Sequence, residues 1–417
     1  MTALPGWDEL PSPEGLAALD RVGEALSSGT PSDRVGATLR KEGVDPAFIA
    51  ALLTQARLRQ AGVAKFGDAA RAMLFTQAGL EQATRQLVAA HHAARFLRAG
   101  SARVADLGCG IGAESRAFLA AGLGVRAVEI DPFTARIAAH NVGLAGQARG
   151  GDFEVLTGDA VLLGRGDADA VFLDPARRTS GHRDTRRLTA PEDYLPPLDF
   201  AFGHGRDLPT GVKLGPGFDR DLLPADAEAQ WVSVDGAVVE TGVWFGAAQT
   251  PGVGRSALVF RGGEAHELSA PADSPDVEVR EPGEYLYEPD GAVIRARLIG
   301  LLAHELDAGM LGAGIAYLTS DRAVSTPFAT GFRLLEELPS KEKELRRALA
   351  ERGIGRLEIK KRAVDVDPAA LRTRLKLRGD ASGTLIVTRA AGRHVAYLAE
   401  RISTAARAAD ASAPGSR

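Results

Sequence analysis

The sequence is poor in cysteine, and this shortage excludes two kinds of chemistry. Only Cys109 among the 417 residues is a cysteine, so no internal disulfide can form and a cytoplasmic location is expected. Enzymes that attack C5 of a pyrimidine need a nucleophilic thiol. The single thiol here lies inside a glycine-rich stretch, which argues against that reaction.

Long apolar runs are also missing. No segment reaches the ~18–20 apolar residues that cross a bilayer, and the first residues lack the basic cap and apolar core of a secretory signal. We therefore expect neither membrane insertion nor export. Apolar residues make up 45% and charged residues 25% of the chain, as in ordinary folded proteins. At ~100–200 residues per domain, the length predicts two or three domains.

An excess of positive charge is also lacking, since 54 Asp or Glu outnumber 50 Lys or Arg and the net charge is −4. The whole chain therefore lacks the basic character of a nucleic-acid-binding protein. Residues 341–378 are an exception, with 13 Lys or Arg against 6 Asp or Glu. This segment predicts a local anion-binding face within a mildly acidic protein.

The periodicity of apolar residues changes near residue 100. Residues 14–98 have apolar spacings of three and four, which predict helices. From residue 103, short β-branched runs alternate with helical stretches, which indicates an α/β fold with a parallel, doubly wound sheet. The predicted strands of this part are 104–107, 125–130, 153–156, 170–173 and 210–214.

Later runs follow one another through glycine turns without intervening helices. Residues 231–234, 238–245 and 257–261 predict an antiparallel edge of the same sheet. A polar stretch, 270–282, then predicts a linker to a small α+β region with a helix near 292–304. We expect an N-terminal helical region at 1–100, a central domain at 101–270 and a C-terminal α+β region at 283–405.

The strongest motif is V-A-D-L-G-C-G-I-G at residues 104–112, a strand that runs into a glycine loop and then a helix. Glycines let the backbone bend sharply and approach a ligand at the carboxyl end of the first strand. Gly108, Gly110 and Ala113 also satisfy G-x-G-x-x-A, the dinucleotide fingerprint. At this point a nicotinamide or flavin cofactor remains an alternative.

Acidic residues at the ends of the predicted strands favour a cationic ligand. Asp106 suits a ligand with an ammonium and a sulfonium group and would repel a pyrophosphate. Glu129 ends the second strand, where it can bind ribose hydroxyls of either cofactor type. Asp159 follows the third strand, where an acid can accept from an adenine amino group. Asp174-Pro175 ends the fourth strand, where a transferred group would be delivered.

Residues 104–175 resemble the motif series of class I S-adenosylmethionine-dependent methyltransferases. Residues 135–146 are similar to the A-R-x-x-x-x-N-x-x-x-x-G stretch of members that act on RNA. The resemblance implies S-adenosylmethionine as cofactor, a doubly wound seven-stranded methyltransferase sheet and no metal. The cofactor-binding residues implied are Asp106, Gly108 and Gly110 for the methionine part, Glu129 and Ile130 for the ribose side, and Asp159 and Ala160 for the adenine side.

The layout of the chain resembles bacterial methyltransferases that carry a C-terminal THUMP-like domain, here about residues 328–404. The resemblance is carried by L-D-P-A-R-R at 173–178, V-K-L-G-P-G-F-D at 212–219 and the segment from Gly331 to Arg389. THUMP domains bind RNA, so the resemblance implies an RNA partner, rRNA or tRNA. The basic segment 341–378 agrees with this independently.

The residues after the fourth strand define the acceptor side. Enzymes that methylate an exocyclic amine resemble one another in an Asp/Asn-Pro-Pro-aromatic turn, and this chain has Asp174-Pro175-Ala176-Arg177. The second proline and the aromatic are missing, but Arg177 can stack on a base or bind a phosphate. The leading hypothesis is methylation of an RNA base nitrogen, with Asp174 and the carbonyls around Pro175 orienting the acceptor.

Two alternatives stay open. Lys65, Asp174, Lys213 and Glu240 follow the order of the Lys-Asp-Lys-Glu tetrad of 2′-O-ribose methyltransferases, so Lys213 is a further catalytic candidate. This first alternative, a methyltransferase with another acceptor, also includes a protein substrate. The second alternative is a non-catalytic RNA-binding protein that retains the cofactor fold. Five arginines near the acceptor turn are candidates for contact with a polyanion. They are Arg177, Arg178, Arg183, Arg186 and Arg187.

Overall fold

The computed structural model describes residues 5–177 and 194–402, which divide into two compact units. The first unit is formed by Met1–Leu214, Phe218–Ala227 and Gly242–Pro251. The second is formed by Gly215–Gly217, Glu228–Thr241 and Gly252–Arg417. Within the described ranges, no helix combines the length and apolarity needed to span a membrane.

The N-terminal region of the first unit is helical, as predicted. Ser12 caps the first helix by accepting the Gly15 N–H, and Asp45 caps the third in the same way. A non-α-helical segment between residues 67 and 76 interrupts the helices, and it becomes important below. The helices are α1 Pro13–Ser27, α2 Ser32–Lys41, α3 Pro46–Phe66, α4 Gln77–Gln82 and α5 Gln86–Arg98.

The rest of the first unit is a doubly wound α/β core. Buried β-branched and small residues on β1 pair in parallel with β2 on one side and with β4 on the other. The elements are β1 Arg103–Leu107, α6 Ala113–Ala120, β2 Gly124–Glu129, α7 Pro132–Arg149, β3 Phe153–Thr157, α8 Ala160–Leu163, β4 Ala170–Leu173, β5 Ala176–Arg177, β6 Tyr194–Leu195, α9 Leu198–Gly203 and β7 Thr210–Leu214.

Four further strands complete this sheet: β8 Glu228–Val234, β9 Ala237–Phe245, β10 Arg255–Arg261 and β11 Glu264–Ala270. The order is β11-β10-β8-β9-β7-β4-β1-β2-β3. The doubly wound fold is confirmed, but the described sheet has nine strands rather than seven. The two additional strands, β10 and β11, form an antiparallel hairpin. β11 was missed because most of its residues are polar and exposed.

One predicted pairing was wrong. The run at 257–261 belongs to β10, which pairs with β8 in parallel and not in the antiparallel edge expected from its sequence. The preceding turn at Asp235-Gly236 does have positive φ at both positions, 49° and 85°, as a tight hairpin requires. The direction of β10 depends on the path that the chain takes after β9, and local periodicity does not encode this path.

The second unit contains a seven-stranded sheet with the order β13-β14-β12-β15-β18-β17-β16. The helix predicted at 292–304 is divided by Arg297, whose φ is 57°. The elements are β12 Tyr285–Pro289, α10 Gly291–Arg295, α11 Ile299–Leu306, β13 Gly309–Met310, β14 Leu318–Ser320, β15 Ala329–Leu338, α12 Glu342–Glu351, β16 Ile354–Lys361, α13 Pro368–Leu375, β17 Ala381–Ala390 and β18 Arg393–Arg401. A C-terminal α+β region is thus confirmed.

Candidate functional site

The glycine loop lies at the point where strand order reverses. β1 is followed outward by β2 and β3, and the chain then crosses to β4 on the other side of β1. The carboxyl ends of β1 and β4 therefore border the crevice where open α/β sheets bind ligands. Gly108 lies in this crevice, because a Cβ added there would have the Asp174 carbonyl oxygen as its nearest contact, at 3.7 Å.

Backbone hydrogen bonds hold the loop against the end of β2. The N–H groups of Gly108 and Cys109 both donate to the Val128 carbonyl, at 2.9 and 3.0 Å. Gly108, Gly110 and Gly112 all have positive φ, which favours glycine. A Cβ on Gly110 would meet nothing within 4 Å, so the loop presents bare backbone to the crevice there. Such a loop can admit a close-fitting ligand.

Asp106 lies beneath this loop and is 1% exposed. Its Oδ2 accepts from the Ser115 N–H at 3.1 Å and from the Ser115 hydroxyl at 2.5 Å. Burial raises the pKa of Asp106 to about 7; the Glu114 and Asp174 carboxylates act in the same direction, and Ser115 opposes them. A cationic ligand would relieve this buried negative charge.

Glu129 and Ile130 lie at the end of β2. Glu129 accepts the Gly110 N–H at 3.0 Å and the Asp131 N–H at 2.9 Å, so it braces the loop as well as facing the crevice side of the sheet. Burial raises the pKa of Glu129, and these backbone donors offset part of the shift. Ile130 is 51% exposed, which leaves an apolar surface beside the carboxylate.

Asp159 and Ala160 lie at the end of β3, where α8 begins. Asp159 is the N-cap of α8, and its Oδ1 accepts the Val161 N–H at 2.8 Å. Capping of α8 is therefore one reason for an acidic residue at position 159. Ala160 is buried in the core below.

Asp174 and Lys213 form an ion pair at the ends of the adjacent strands β4 and β7. Lys213 is 8% exposed, whereas the Asp174 side chain is 38% exposed. The lysine thus fixes one oxygen of a carboxylate that solvent or a substrate can still reach. Pro175 is buried directly after it, and the backbone of Arg177 pairs with Tyr194 in the short β5–β6 ribbon.

The other tetrad candidates are distributed differently. The Lys65 ammonium donates to the carbonyls of Glu81 and Ala83 at 2.6 and 2.7 Å, which ties α3 to the end of α4. Burial is the largest cause that lowers the pKa of Lys65, and the positive charges of Arg85 and Lys213 lower it further. Glu240 is buried on β9 in the second unit. Four of the five candidate arginines, Arg178, Arg183, Arg186 and Arg187, lie outside the described residues.

A buried pair beside the candidate site was not identified from the sequence. His92 on α5 places Nδ1 at 3.2 Å from both oxygens of Glu114 on α6. Burial acts to raise the pKa of Glu114, but the His92 imidazole and the Lys213 charge outweigh it and the pKa is lowered. No sequence pattern indicates that His92 and Glu114, which are 22 positions apart and separated by a strand, are in contact.

Within the described part of the chain, no group of three or more His, Cys, Asp or Glu residues is arranged to hold a metal ion.

Two loop glycines are expected to respond differently to alanine. At Gly112 the added Cβ would lie 2.8 Å from Val142 Cγ2 at a φ of 82°, so Gly112→Ala should lower the free energy of unfolding by roughly 1–3 kcal/mol. At Gly110 the added Cβ meets open space, so Gly110→Ala should cost only about 1 kcal/mol. Urea unfolding of both variants tests this, and equal losses would contradict the packing argument.

Fold and crevice together define a Rossmann-like α/β protein, a class whose ligands bind at such a crevice. Two relatives in Mycobacterium tuberculosis, from strains CDC 1551 / Oshkosh and H37Rv, are each described as an uncharacterized S-adenosylmethionine-dependent methyltransferase. Each is 36% identical over 325 residues, which cover 76% of this chain and 84% of the relative. The chain therefore belongs to this family of S-adenosylmethionine-dependent methyltransferases, and S-adenosylmethionine is its cofactor.

Other comparisons concern single regions of the chain and its overall fold. Residues 329–401 match a model described as THUMP domain-like, and residues 4–62 match a domain of unknown function. The crystal structure of a candidate methyltransferase from Porphyromonas gingivalis W83 superposes with a TM-score of 0.74 at 23% identity. It covers 94% of this chain and 99% of that protein, which shows a shared fold.

Proposed function

We propose that this methyltransferase acts on a base nitrogen of RNA. The observation that carries the proposal is the Asp174–Lys213 ion pair, next to a glycine loop whose Gly108 faces the Asp174 carbonyl. This geometry supports delivery of an acceptor to the same crevice that takes the cofactor. Asp174, Pro175, Arg177 and Lys213 are the residues to which we assign the acceptor side.

The acidic residues and the bare glycine backbone at the crevice support S-adenosylmethionine as the ligand there. Bound there, S-adenosylmethionine supplies a methyl group on a positively charged sulfur. Asp106 would stabilise the cationic methionine part through its buried charge, while Gly108 and Gly110 leave room for it. Glu129 would accept from the ribose hydroxyls and Ile130 would cover the apolar face. Asp159 and Ala160 would border the adenine, with the Asp159 carboxylate shared between α8 and the ligand.

The acceptor residues have complementary tasks. Lys213 pairs directly with one carboxylate oxygen of Asp174, and the carboxylate would accept hydrogen bonds from an amine. The carbonyl of Asp174, beside Gly108, is a second acceptor for an amine hydrogen. A base held this way would present its nitrogen to the methyl group that the bound cofactor would supply. No covalent intermediate with the protein is needed.

The C-terminal region supports RNA as the substrate class. The THUMP-like match covers residues 329–401, which include the basic segment 341–378. α12 and α13 pack on one face of the sheet through a shared apolar core. Exposed cations on these helices and on the loop after α13 form no ion pair with the described acidic residues. They include Lys343 and Arg346 on α12, and Lys376 and Arg378 just after α13.

A second candidate, 2′-O-ribose methylation, is favoured by a different observation. Lys65 lies close enough to Lys213 for the two positive charges to interact, and Lys213 contacts Asp174. Lys213 is thus near both Lys65 and Asp174, so three of the four tetrad residues support this candidate. A lysine with a lowered pKa, as burial and Arg85 give Lys65, suits proton transfer from a hydroxyl.

The substrate assignment is tested by methyl transfer to RNA from cells that lack this enzyme. The purified protein is incubated with a methyl-labelled donor and this RNA, and the RNA is digested to nucleosides. Label on a base nitrogen is the expected result. Label on the ribose would replace the proposal with the second candidate. Label in protein, or no label in any pool, would overturn both. RNA from cells that contain the enzyme is the matched control, because its sites are already methylated.

A further inference from the structure

We infer that the N-terminal helical region is a working part of the methyl-donor site, and that Asn141 is the positioning residue that couples it to the glycine loop. The inference rests on the proposed role of the glycine loop in holding the donor. It gives a task to the segment that matches a domain of unknown function.

The first observation is a shared hydrophobic core. Apolar side chains from α1, α2 and α3 form one cluster with Ile111 and Ala113, at the start of α6, and with Phe133 and Ile137 on α7. The Trp7 and Phe133 rings meet edge to face, with centroids 5.3 Å apart. The N-terminal helices therefore pack on the loop itself and on the helix behind it, not on a remote face of the core.

The second observation is a strap, residues 72–75, that joins α3 to α4. Gln55 holds it from one side, since its amide donates to the Phe75 carbonyl and accepts the Phe75 N–H at 3.1 Å. Arg59 donates to the Met73 carbonyl at 2.9 Å. Both side chains lie on α3 and are buried. The strap is thus fixed to the N-terminal helices along its length.

Asn141 on α7 holds the strap from the opposite side and also reaches the loop. Its Oδ1 accepts the Leu74 N–H at 2.8 Å, and its Nδ2 donates to the Leu74 carbonyl at 2.9 Å. The same Nδ2 donates to the Ile111 carbonyl at 2.9 Å. Asn141 is fully buried, so these bonds do not compete with water. One amide therefore ties three segments together.

α4, which follows the strap, contacts the loop from above. A Cβ added at Gly79 on α4 would lie 2.4 Å from Ile111 Cγ2, so the helix and the loop approach as closely as a glycine permits. Lys65 on α3 holds the end of α4 through the Glu81 and Ala83 carbonyls. Ile111 is consequently fixed twice, through its carbonyl by Asn141 and through its side chain by α4.

Fixing Ile111 matters because it lies between Gly110 and Gly112. Glycines lose more backbone freedom on ordering than other residues, so an unsupported loop would resist the conformation that the donor needs. Bonds that order the loop in advance improve the affinity for the donor. These hydrogen bonds are not made to the methyl-accepting substrate, which we assign to the side of Asp174. Asn141 should therefore affect donor affinity more than the rate of transfer at saturation.

The test compares two buried amides that clamp the same strap. Asn141→Ala removes the bonds to Leu74 and to the loop, whereas Gln55→Ala removes bonds to Phe75 only. Both variants lose stability. We expect Asn141→Ala to raise the Kd for S-adenosylmethionine, measured by calorimetry on the full chain, by at least about tenfold. Gln55→Ala should change this Kd by less than about threefold, and kcat at saturating donor should stay within about threefold of wild type for both.

A second pair of variants keeps the test decisive if Asn141→Ala does not fold. Asn141→Ser is a milder change at the same place, and Gly79→Ala pushes on Ile111 from α4 without altering Asn141. Both should raise the Kd for the donor. Unchanged affinity in the folded Asn141 and Gly79 variants, or an equal loss in Gln55→Ala, would overturn the inference. If wild type itself fails to bind the donor, the assignment of the loop is what fails.

Discussion

Asp174→Asn is expected to reduce methyl transfer to RNA by about 10²–10⁴-fold while S-adenosylmethionine still binds. The substitution keeps the shape of the side chain but removes the charge that Lys213 orients and that an acceptor amine would meet. Asparagine also presents an amide N–H that can point toward the amine and repel it. The rate constant from single-turnover transfer of labelled methyl, at saturating donor and RNA, is the quantity to measure.

The same strand offers a matched control for this prediction. Asp169, just before the amino end of β4, uses its carboxylate to accept the Ala102 and Arg103 N–H groups. Asp169→Asn should lower stability slightly and leave the transfer rate constant within about threefold of wild type. A similar rate loss in both variants, or less than a threefold loss in Asp174→Asn, would remove Asp174 from the acceptor site.

The affinity for S-adenosylmethionine is expected to rise with pH up to about 7 because of Asp106. Burial raises the pKa of this carboxyl to about 7, so the ligand-free protein holds it largely protonated below that pH. A cationic ligand binds the ionised form more tightly and releases the proton. The Kd should therefore fall by up to about tenfold per pH unit between pH 5 and 7 and level off above. Asp106→Asn should bind weakly and without this slope.

The free energy of unfolding should change in the opposite direction with pH. The pKa of this carboxyl is higher in the folded than in the unfolded state. Its contribution to stability is therefore fully present at pH values below the unfolded-state pKa, and it is lost as the pH rises toward 7. Urea unfolding of the ligand-free protein between pH 4 and 8 measures this decline, which Asp106→Asn should flatten. Ser115→Ala removes a hydrogen bond to the ionised form and should move the transition to higher pH. A slope unchanged in Asp106→Asn would exclude this carboxyl as its source.

The candidate site was predictable where its residues are near in sequence to strand ends. Each candidate acid lies within two residues of the carboxyl end of a strand: Asp106, Glu129, Asp159 and Asp174. Parallel strands put their carboxyl ends at one edge, so chain order alone brings these acids to the same side of the sheet. What the pattern missed is that Asp159 also caps α8, a task that needs no ligand.

The side-chain contacts between distant segments could not be predicted in the same way. Lys65 was a tetrad candidate by its order in the chain, yet its ammonium holds the end of α4. Asn141 belonged to a recognisable motif, but nothing in the motif indicates that its amide bonds a strap 67 positions earlier. Such contacts depend on how α3, α7 and the loop pack, and packing is a property of the folded chain.

The sequence by itself determined the α/β class, the glycine loop, its acidic neighbours and the basic C-terminal segment, because periodicity, turn chemistry and charge act over a few neighbouring residues. Only the tertiary structure decided that the sheet has nine strands, that Lys213 pairs with Asp174 and that the N-terminal helices pack on the loop. Hydrogen bonds and apolar contacts between distant segments form only when burial brings them together, so their partners are fixed by the fold and not by spacing along the chain.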